Sequence, residues 1–292
     1  MGFWEESPIV SFARDGEEFV LGRDPGASVL HLNGTEGLGI APVEHSSVER
    51  LVGDGNVHRG TRYGAREVYV PLMLEAESVP ELDDLRRKLT SIVAPHLGPV
   101  EIRVQNPADD SVRMIRGRYK EGLEDGAGGP DYYGTWQTIG LTFECDDPWW
   151  LGPEQLVNLR IAPGTKPFLS KTTPFFPVTL ARSTIVGTFP VTIRGAGPVS
   201  PAWQITGPGR DLVISNGDDV IEIHGEFPAD ETTVIDSSTG RITPDSRWDD
   251  TTDETVLFDL RPGRQTLRIT LVNATPDTTV KIVYREKYLE AM

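Results

Sequence analysis

The stretch "SVPELDDLRRKLTSIVAP" (residues 78–95) predicts the one convincing helix of the chain and sets the fold class around it. Ser78 is expected to cap the helix, and Glu81 three residues later completes a capping box. Pro95 is expected to end the element. Apolar residues recur at helical spacing on one face, which should pack on a core. These residues are Leu82, Leu85, Leu89 and Ile92.

On both sides of this helix the hydrophobic pattern changes to a period of two, which is typical of half-buried strands. The runs are "REVYVPLML" (66–74), "VEIRV" (100–104), "VRMIRGRY" (112–119) and "WQTIGLTFE" (136–144). One helix packed on an antiparallel sheet predicts an α+β domain, which we place at residues 1–152. The Gly-rich segment "EGLEDGAGGPD" (121–131) interrupts it, and its composition predicts a long, mobile loop that becomes ordered only on assembly.

The second half of the chain contains no good helix pattern. Eight short strand-like runs recur there at about ten-residue spacing, joined by Gly- and Pro-containing turns, which predicts a β-sandwich over 177–292. The runs are "TFPVTIRG", "AWQITG", "DLVISN", "VIEIHG", "TTVIDSS", "ETVLFDL", "QTLRITLVN" and "TVKIVYRE". Residues 153–176 are rich in proline and are interpreted as a semi-rigid linker, in which "EQLVNLRI" is a candidate extra strand. The fold class is therefore mainly β.

The charge of the chain is strongly negative and unevenly distributed. The net charge of the 292 residues is −16. Residues 1–155 carry 14 Lys and Arg against 27 Asp and Glu, a balance of −13. Such a field repels phosphates and anionic lipid, which disfavours a DNA-binding role.

No apolar run approaches the ~20 residues needed to cross a bilayer, so no membrane insertion is expected. The acidic N-terminus and the single cysteine favour synthesis in a reducing cytoplasm.

The segment "FECDDPWWLG" (143–152) allows two interpretations, a catalytic site or a mechanical junction. The pair Asp146-Asp147 beside Cys145 suggests chemistry. However, adjacent strand residues point to opposite faces, so two consecutive carboxylates rarely converge on one bond. Pro148 ends a strand ladder, and the tandem tryptophans can bury a large apolar area where two domains meet. We therefore predict a structural junction at Asp147, Pro148, Trp149 and Trp150.

No combination of residues predicts an enzyme. Five scattered histidines lack the spacing that places two imidazoles on one helix face, and no Gly-x-Ser-x-Gly elbow occurs. Cys145 ends an apolar alternation and is interpreted as packed. Phosphate-binding glycine patterns are absent as well. No catalytic residue, no metal site and no cofactor is therefore predicted.

The acidic run "PDSRWDDTTDETVLFD" holds the best polar cluster. It suggests a solvated acidic loop, with a calcium site at 245–254 as the alternative, although the glycine bend of an EF-hand is missing. Trp248 is expected to be an exposed aromatic. With Asp249 and Asp250 it forms a candidate contact for a glycan, since sugar rings stack on aromatic faces. A carbohydrate-binding module on an adaptor domain is therefore the alternative function.

An ordered set of motifs in the second half resembles the C-terminal domain of siphophage-type distal tail proteins (a phage minor tail protein family). The motifs are "PAWQITGPG", "LVISNGDDVIEIHGEF", "TTVIDSSTGRI", "FDLRPGRQTLRITL" and "TVKIVYREKYLEAM". The first half is similar to the N-terminal domain of the same family. It has, in the family's order, "LHLNGTEGLGIAPVEHSSVERLVGDG", "GTRYGAREVYVPLML", the helix, "GPVEIRV", "RGRYKEGLE" and "LTFECDDPWW".

The resemblance implies a galectin-like C-terminal sandwich and an N-terminal domain that forms a hexameric ring. Such a ring joins the tail tube to the tail-tip hub or baseplate and lets DNA pass without specific binding. The expected location is the tip of the virion tail. Receptor-binding proteins are further expected partners. The resemblance implies no catalytic residues.

Overall fold

A computed structural model describes residues 7–24, 26–159, 184–275 and 277–292. They divide into two compact units. Unit 1 runs to Pro153 and includes the last five residues, Tyr288–Met292, whereas unit 2 comprises Glu154–Lys287. The C-terminal end of the chain therefore belongs to unit 1, although the sequence pattern assigns it to the sandwich. Most of the predicted linker at 153–176 lies outside the described residues, and its first seven residues belong to a strand.

Unit 1 is a mixed domain in which one helix packs on two antiparallel sheets. Its elements in chain order are β1 (Ile9–Arg14), β2 (Glu17–Val20), β3 (Val29–His31), β4 (Val43–Glu49), β5 (Asn56–Tyr63), β6 (Arg66–Glu75), α1 (Val79–Val93), β7 (Val100–Gln105), β8 (Val112–Glu121), β9 (Trp136–Cys145) and the start of β10 (Trp150–Leu159).

Strand β8 joins the two sheets of unit 1. Its first half pairs with β7 in the sheet β2-β1-β7-β8, and from Arg118 it pairs with β9 in the sheet β3-β6-β9-β8. Alternate residues of β6 and β7 are buried, as a period-two pattern requires. Between the sheets, α1 buries Leu82, Leu89 and Ile92, while Leu85 is only partly buried. Among the described residues α1 is the only α-helix, and the predicted mainly β fold is confirmed.

The start of α1 differs from the predicted capping box. Ser78 is the N-cap residue with extended backbone (φ −144°, ψ 158°), but its side chain makes no cap hydrogen bond. Glu81 instead accepts a hydrogen bond from the backbone N–H of Glu77 (3.2 Å). Because the proline at the second helical position has no N–H, one of the unpaired donors of the first turn is already absent, which reduces the need for a cap.

The Gly-rich segment 121–131, predicted to be a mobile loop, is held by side chains of the domain. The hydroxyl of Tyr119 donates to Glu124 (2.8 Å) and accepts from the Leu123 N–H (2.8 Å). Glu124 also accepts from the Gly122 N–H (2.8 Å). Gly122 has φ +122°, and a Cβ there would lie 2.0 Å from a backbone oxygen of β9. Composition alone does not reveal these contacts, because they depend on the position of Tyr119 in β8 and on the close approach of β9.

We expect the amides of Gly122 and Leu123 to be protected from hydrogen exchange in the isolated chain. Both donate to ordered side chains, so exchange requires local opening. The exposed turn between β4 and β5, at Leu51 and Val52, serves as the comparison. Exchange of the two loop amides at the rate of that turn would favour the alternative, in which the loop becomes ordered only on assembly.

Unit 2 is built from two antiparallel sheets, in the orders β16-β15-β12-β18-β10 and β11-β17-β13-β14, with a shared hydrophobic core. Its strands are the rest of β10, β11 (Thr184–Ile193), β12 (Ala202–Thr206), β13 (Gly209–Ser215), β14 (Val220–Phe227), β15 (Thr232–Asp236), β16 (Arg241–Thr243), β17 (Gly263–Val272) and β18 (Thr279–Tyr288). Trp203 is fully buried in this core, against the ring of Phe258 (5.9 Å between centroids).

Seven of the eight predicted sandwich runs coincide with strands, and one prediction is wrong. "ETVLFDL" (254–260) forms no strand and makes only an isolated bridge between Leu260 and Val199. Its alternation arises because Phe258 and Leu260 anchor an irregular segment in the core. The three-residue strand β16 was too short to produce a recognisable pattern. Both differences come from packing rather than from local propensity.

Candidate functional site

The predicted junction residues follow β9 and lead into β10. The carboxylate of Asp147 accepts a hydrogen bond from the backbone N–H of Trp149 (3.1 Å), which forms a tight turn around Pro148. Trp149 is partly buried and meets the ring of Tyr63 edge-on (5.3 Å between centroids). Trp150 is completely buried in the core of unit 1, and its indole N–H has no hydrogen-bond partner among the described residues. A mechanical role between domains stays a prediction. The structure shows that Trp150 anchors this segment in the core of unit 1.

A buried arginine lies close to this anchor. The guanidinium of Arg66 is 5.8 Å from the centroid of the Trp150 ring. It donates to the carbonyls of Gly37 (3.0 Å), Gly39 (2.7 Å) and Leu289 (3.0 Å). Burial lowers the pKa of Arg66, opposed by the nearby Cys145. Arg66 therefore joins three segments of unit 1 that are far apart in sequence.

The turn that receives Arg66 requires a glycine. Gly37 has φ +84°, and a Cβ there would lie 2.1 Å from the backbone oxygen of Glu67. No L side chain fits this approach without backbone movement. In the sequence this turn is visible only as part of a family motif, and nothing there indicates its role as a partner of Arg66.

The C-terminal residues of the chain complete unit 1. Ala291 is buried, and its N–H donates to the carbonyl of Leu38 (2.8 Å). Arg113 donates to the carbonyl of Glu290 (2.9 Å) and lies over the ring of Tyr288 (4.0 Å). Sequence reasoning missed this tail because nothing in a short strand exit indicates which sheet it will rejoin.

The residues that suggested chemistry do not converge. Asp146 is exposed and pairs with Arg118 (2.9 Å), whereas Asp147 serves the turn. Cys145 is fully buried. Burial raises the pKa of its thiol to about 12, partly offset by the charge of Arg66. The segment therefore lacks a convergent carboxylate pair and a reactive thiolate.

We expect Cys145 to resist alkylation in the folded chain and to react once the chain is unfolded. At pH 8 a thiol with a pKa of about 12 is a thiolate in about one molecule in 10,000, whereas an unfolded cysteine titrates near ~8.5. The unfolded state loses its proton first as the pH rises, so this group lowers stability above about pH 8.5. Iodoacetamide labelling followed by mass spectrometry, with and without urea, is the measurement. Rapid labelling without urea would contradict it.

The acidic run of unit 2 forms a short 3-10 helix, Asp245–Asp250, held by a buried arginine. Arg247 binds the carboxylates of Glu231 (2.9 Å) and Asp250 (3.2 Å) and lies over the ring of Phe227 (4.8 Å). These contacts present Trp248 on the surface, where 42% of it is exposed. Asp249 beside it is also exposed. The run is therefore a rigid loop with an outward-facing indole.

The geometry does not support a metal site in this loop. Asp250 is engaged with Arg247, and in the ranges the structure describes no group of three or more His, Cys, Asp or Glu side chains could hold a metal ion. Two of the scattered histidines do come together, since His45 and His58 both contact the hydroxyl of Thr61 (3.0 and 3.2 Å). Both histidines are exposed, and the group formed by His45, His58 and Thr61 contains no carboxylate.

The most unusual surface of unit 1 is the hairpin of β4 and β5, which we call the arm (Val43–Tyr63). Among the described residues the two strands pair only with each other, and nearly every residue of the hairpin is exposed. Its turn, Arg50–Gly55, is the arm tip, where Leu51 is 103% and Val52 90% exposed. Two adjacent apolar side chains so fully exposed indicate a contact surface. The arm overlaps two of the family motifs, at residues 30–55 and 60–74, but its exposure could not be predicted from the sequence.

Unit 1 matches a known family. The model of the phage tail protein RIFT-related domain matches residues 15–145. This part of the chain is therefore similar to a phage tail protein domain. The resemblance to siphophage-type distal tail proteins is confirmed at this level. No curated protein matches the chain by sequence.

Solved structures share this fold over almost the whole chain. The Dit (gp 19.1) protein of phage SPP1, described as a paradigm of the hub adsorption apparatus in phages that infect Gram-positive hosts, has a TM-score of 0.60 at 15% identity, covering 96% of this chain and 99% of that one. A chain of the phage p2 baseplate in its activated conformation with Sr has a TM-score of 0.54 at 12% identity, covering 96% and 98%. The corresponding structure with Ca has a TM-score of 0.50 at 11% identity, covering 92% and 99%.

No helix among the described residues is long and apolar enough to span a membrane.

Proposed function

We propose that the chain is a distal tail protein of a tailed phage, which assembles as a hexameric ring at the virion tail tip. Unit 1 forms the ring between the tail tube and the tail-tip hub or baseplate, and unit 2 docks further tip components such as receptor-binding proteins. The observation that carries the proposal is the likeness to SPP1 Dit over 96% of this chain and 99% of that one. The chain is made in the host cytoplasm before assembly.

The surface of unit 1 suits this role. A closed ring uses heterologous contacts, in which one patch meets a different patch of the neighbour, and an exposed arm provides the first patch. The balance of −13 in residues 1–155 provides a wall that repels phosphates, so DNA passes without sticking.

Light scattering after size-exclusion chromatography tests the ring directly. A species of six copies of the 32.1 kDa chain, seen as rings in negative stain, supports it. The purified tail tube protein is added as a template if the chain alone is monomeric. A chain that stays monomeric in both cases contradicts the proposal.

A second candidate function, carbohydrate binding by unit 2, is favoured by the presentation of Trp248. An indole held outward by a clamped loop can stack on a sugar ring, and Asp249 and Asp250 lie beside it. We expect any specific signal on a glycan array to be lost in Trp248→Ala. Trp149→Ala, in unit 1, is the control. A signal unchanged in Trp248→Ala, or no signal from the parent chain, contradicts this candidate.

A further inference from the structure

We infer that the arm tip of one copy docks in an acidic groove beside α1 of a neighbouring copy. The inference rests on the proposed ring and names the two surfaces that meet in it. The groove has a volume of about 630 Å³, within the size range of ordinary binding pockets. It is lined by Ser28, Ala76, Glu77, Glu81, Asp84 and Leu85, among others.

The groove has unbalanced negative charge. Four carboxylates and one lysine line it. Asp84 pairs with Arg87 (2.9 Å), but in the part of the chain that the structure describes no ion pair involves Glu75, Glu77 or Glu81. A cationic side chain from a partner would therefore meet carboxylates that the chain itself leaves uncompensated.

The arm tip carries the complementary groups. Arg50 is exposed and adjoins the two apolar residues Leu51 and Val52, whereas the acidic residue of the tip, Asp54, lies on the other side of this apolar pair in sequence. Residues 43–63 hold three arginines against three acidic residues, so the arm is neutral within an otherwise acidic half of the chain. An Arg-Leu-Val tip matches a groove that combines carboxylates with the partly buried Ala76 and Leu85.

Charge distinguishes this groove from another of almost the same size on the same helix. The second groove, about 620 Å³, is lined by Arg86, Arg87 and His96 with one carboxylate, Asp83, so it offers no surplus of negative charge to the tip. Beside the acidic groove lies a stacked pair of exposed aromatics, Tyr133 and Trp136 (4.0 Å between centroids). Thr135, which lies between them in sequence, joins this pair to the groove: its backbone carbonyl accepts a hydrogen bond from the N–H of Ala76 (2.9 Å). This pair offers a stacking surface to an arriving arginine.

The occupant is a second copy of this chain rather than the arm of the same copy. Leu51 and Val52 are fully exposed, so the tip does not lie in its own groove. A tip that fits a different surface of an identical neighbour produces a head-to-tail contact, and repetition of that contact forms a ring when the rotation between copies closes.

Disulfide trapping of the full chain tests the contact. The double variant V52C/S28C places one thiol on the tip and one in the acidic groove. V52C/S91C places the second thiol in the basic groove on the other side of α1 and is the matched control, since Ser28 and Ser91 are both exposed. The native Cys145 is buried and does not contribute. We expect a ladder of covalent multimers on non-reducing gels for V52C/S28C and none for the control.

Charge reversal at the tip gives an independent readout. R50E in the V52C/S28C background is expected to lower the trapping rate on the order of tenfold, the size expected for loss of a partly desolvated charge pair. An oligomeric chain without the V52C/S28C ladder, or with equal ladders in both double variants, overturns the docking and leaves the ring proposal intact. A chain that stays monomeric with and without the tail tube protein and gives no ladder overturns both.

Discussion

Trp150→Ala is expected to lower the free energy of unfolding of unit 1 by about 3–5 kcal/mol, the range for removing a large aromatic ring from a close-packed core. Trp150 is completely buried, so truncation removes its apolar contacts and leaves a cavity that the surrounding strands can fill only in part. Native-state hydrogen exchange of the β6 and β9 amides is the measurement, because it reports unit 1 by itself.

Two matched variants separate the core role from the local turn. Trp149→Ala, at a partly buried ring that touches Tyr63, should cost about 1 kcal/mol. Trp150→Phe keeps a ring and removes an indole N–H that has no partner in the described residues, so it should cost less than the alanine variant. Equal losses for Trp149→Ala and Trp150→Ala would show that the segment acts only as a turn.

Arg66→Met is expected to destabilise unit 1 by about 3–5 kcal/mol and to release the C-terminal tail. The methionine keeps apolar volume near Trp150 but removes three charge-assisted hydrogen bonds and leaves three carbonyls without their donor. The amide of Ala291, which donates to Leu38, should lose its protection from exchange more than the amides of β1 do.

Arg118→Met is the control for this variant. Arg118 is half exposed, and its partners Glu144 and Asp146 stay solvated when it is removed, so the loss should stay within about 1 kcal/mol. If Arg66→Met unfolds no more easily than Arg118→Met and the tail remains protected, Arg66 does not hold the three segments together.

The elements predicted from periodicity are the ones that local sequence determines. The apolar face of α1 and the alternation in β6, β9 and β13 repeat within ten residues, so each pattern is visible without its partner. "ETVLFDL" shows the limit of this reasoning, since the same alternation arises when two residues anchor an irregular segment. The capping box at Ser78 fails for a related reason: the motif is local, but the hydrogen bond actually formed involves Glu77.

Only some features of the candidate surfaces could be predicted from the sequence. The outward-facing Trp248 follows from a tryptophan in an acidic run, whereas its support, Arg247, depends on Glu231 and Phe227 from other segments. The arm tip at Leu51 and Val52 looks in sequence like any short apolar pair. Only the three-dimensional arrangement reveals that, among the described strands, the two leading to it pair with no strand but each other.

By itself, the sequence determined the mainly β class, the single helix, the alternating core strands and the acidity of the first half, because these depend on composition and on spacings of two to four residues. The tertiary structure alone decided that the chain ends inside unit 1 and that Arg66 holds it there. The physical reason is separation: Arg66 and Leu289 are 223 residues apart. A hydrogen bond across that distance exists only after the fold has brought both strands together, and no local pattern records it. In the segment "DDPWW" the burial of Trp150 could be predicted from the sequence, whereas its contact with Arg66 could not.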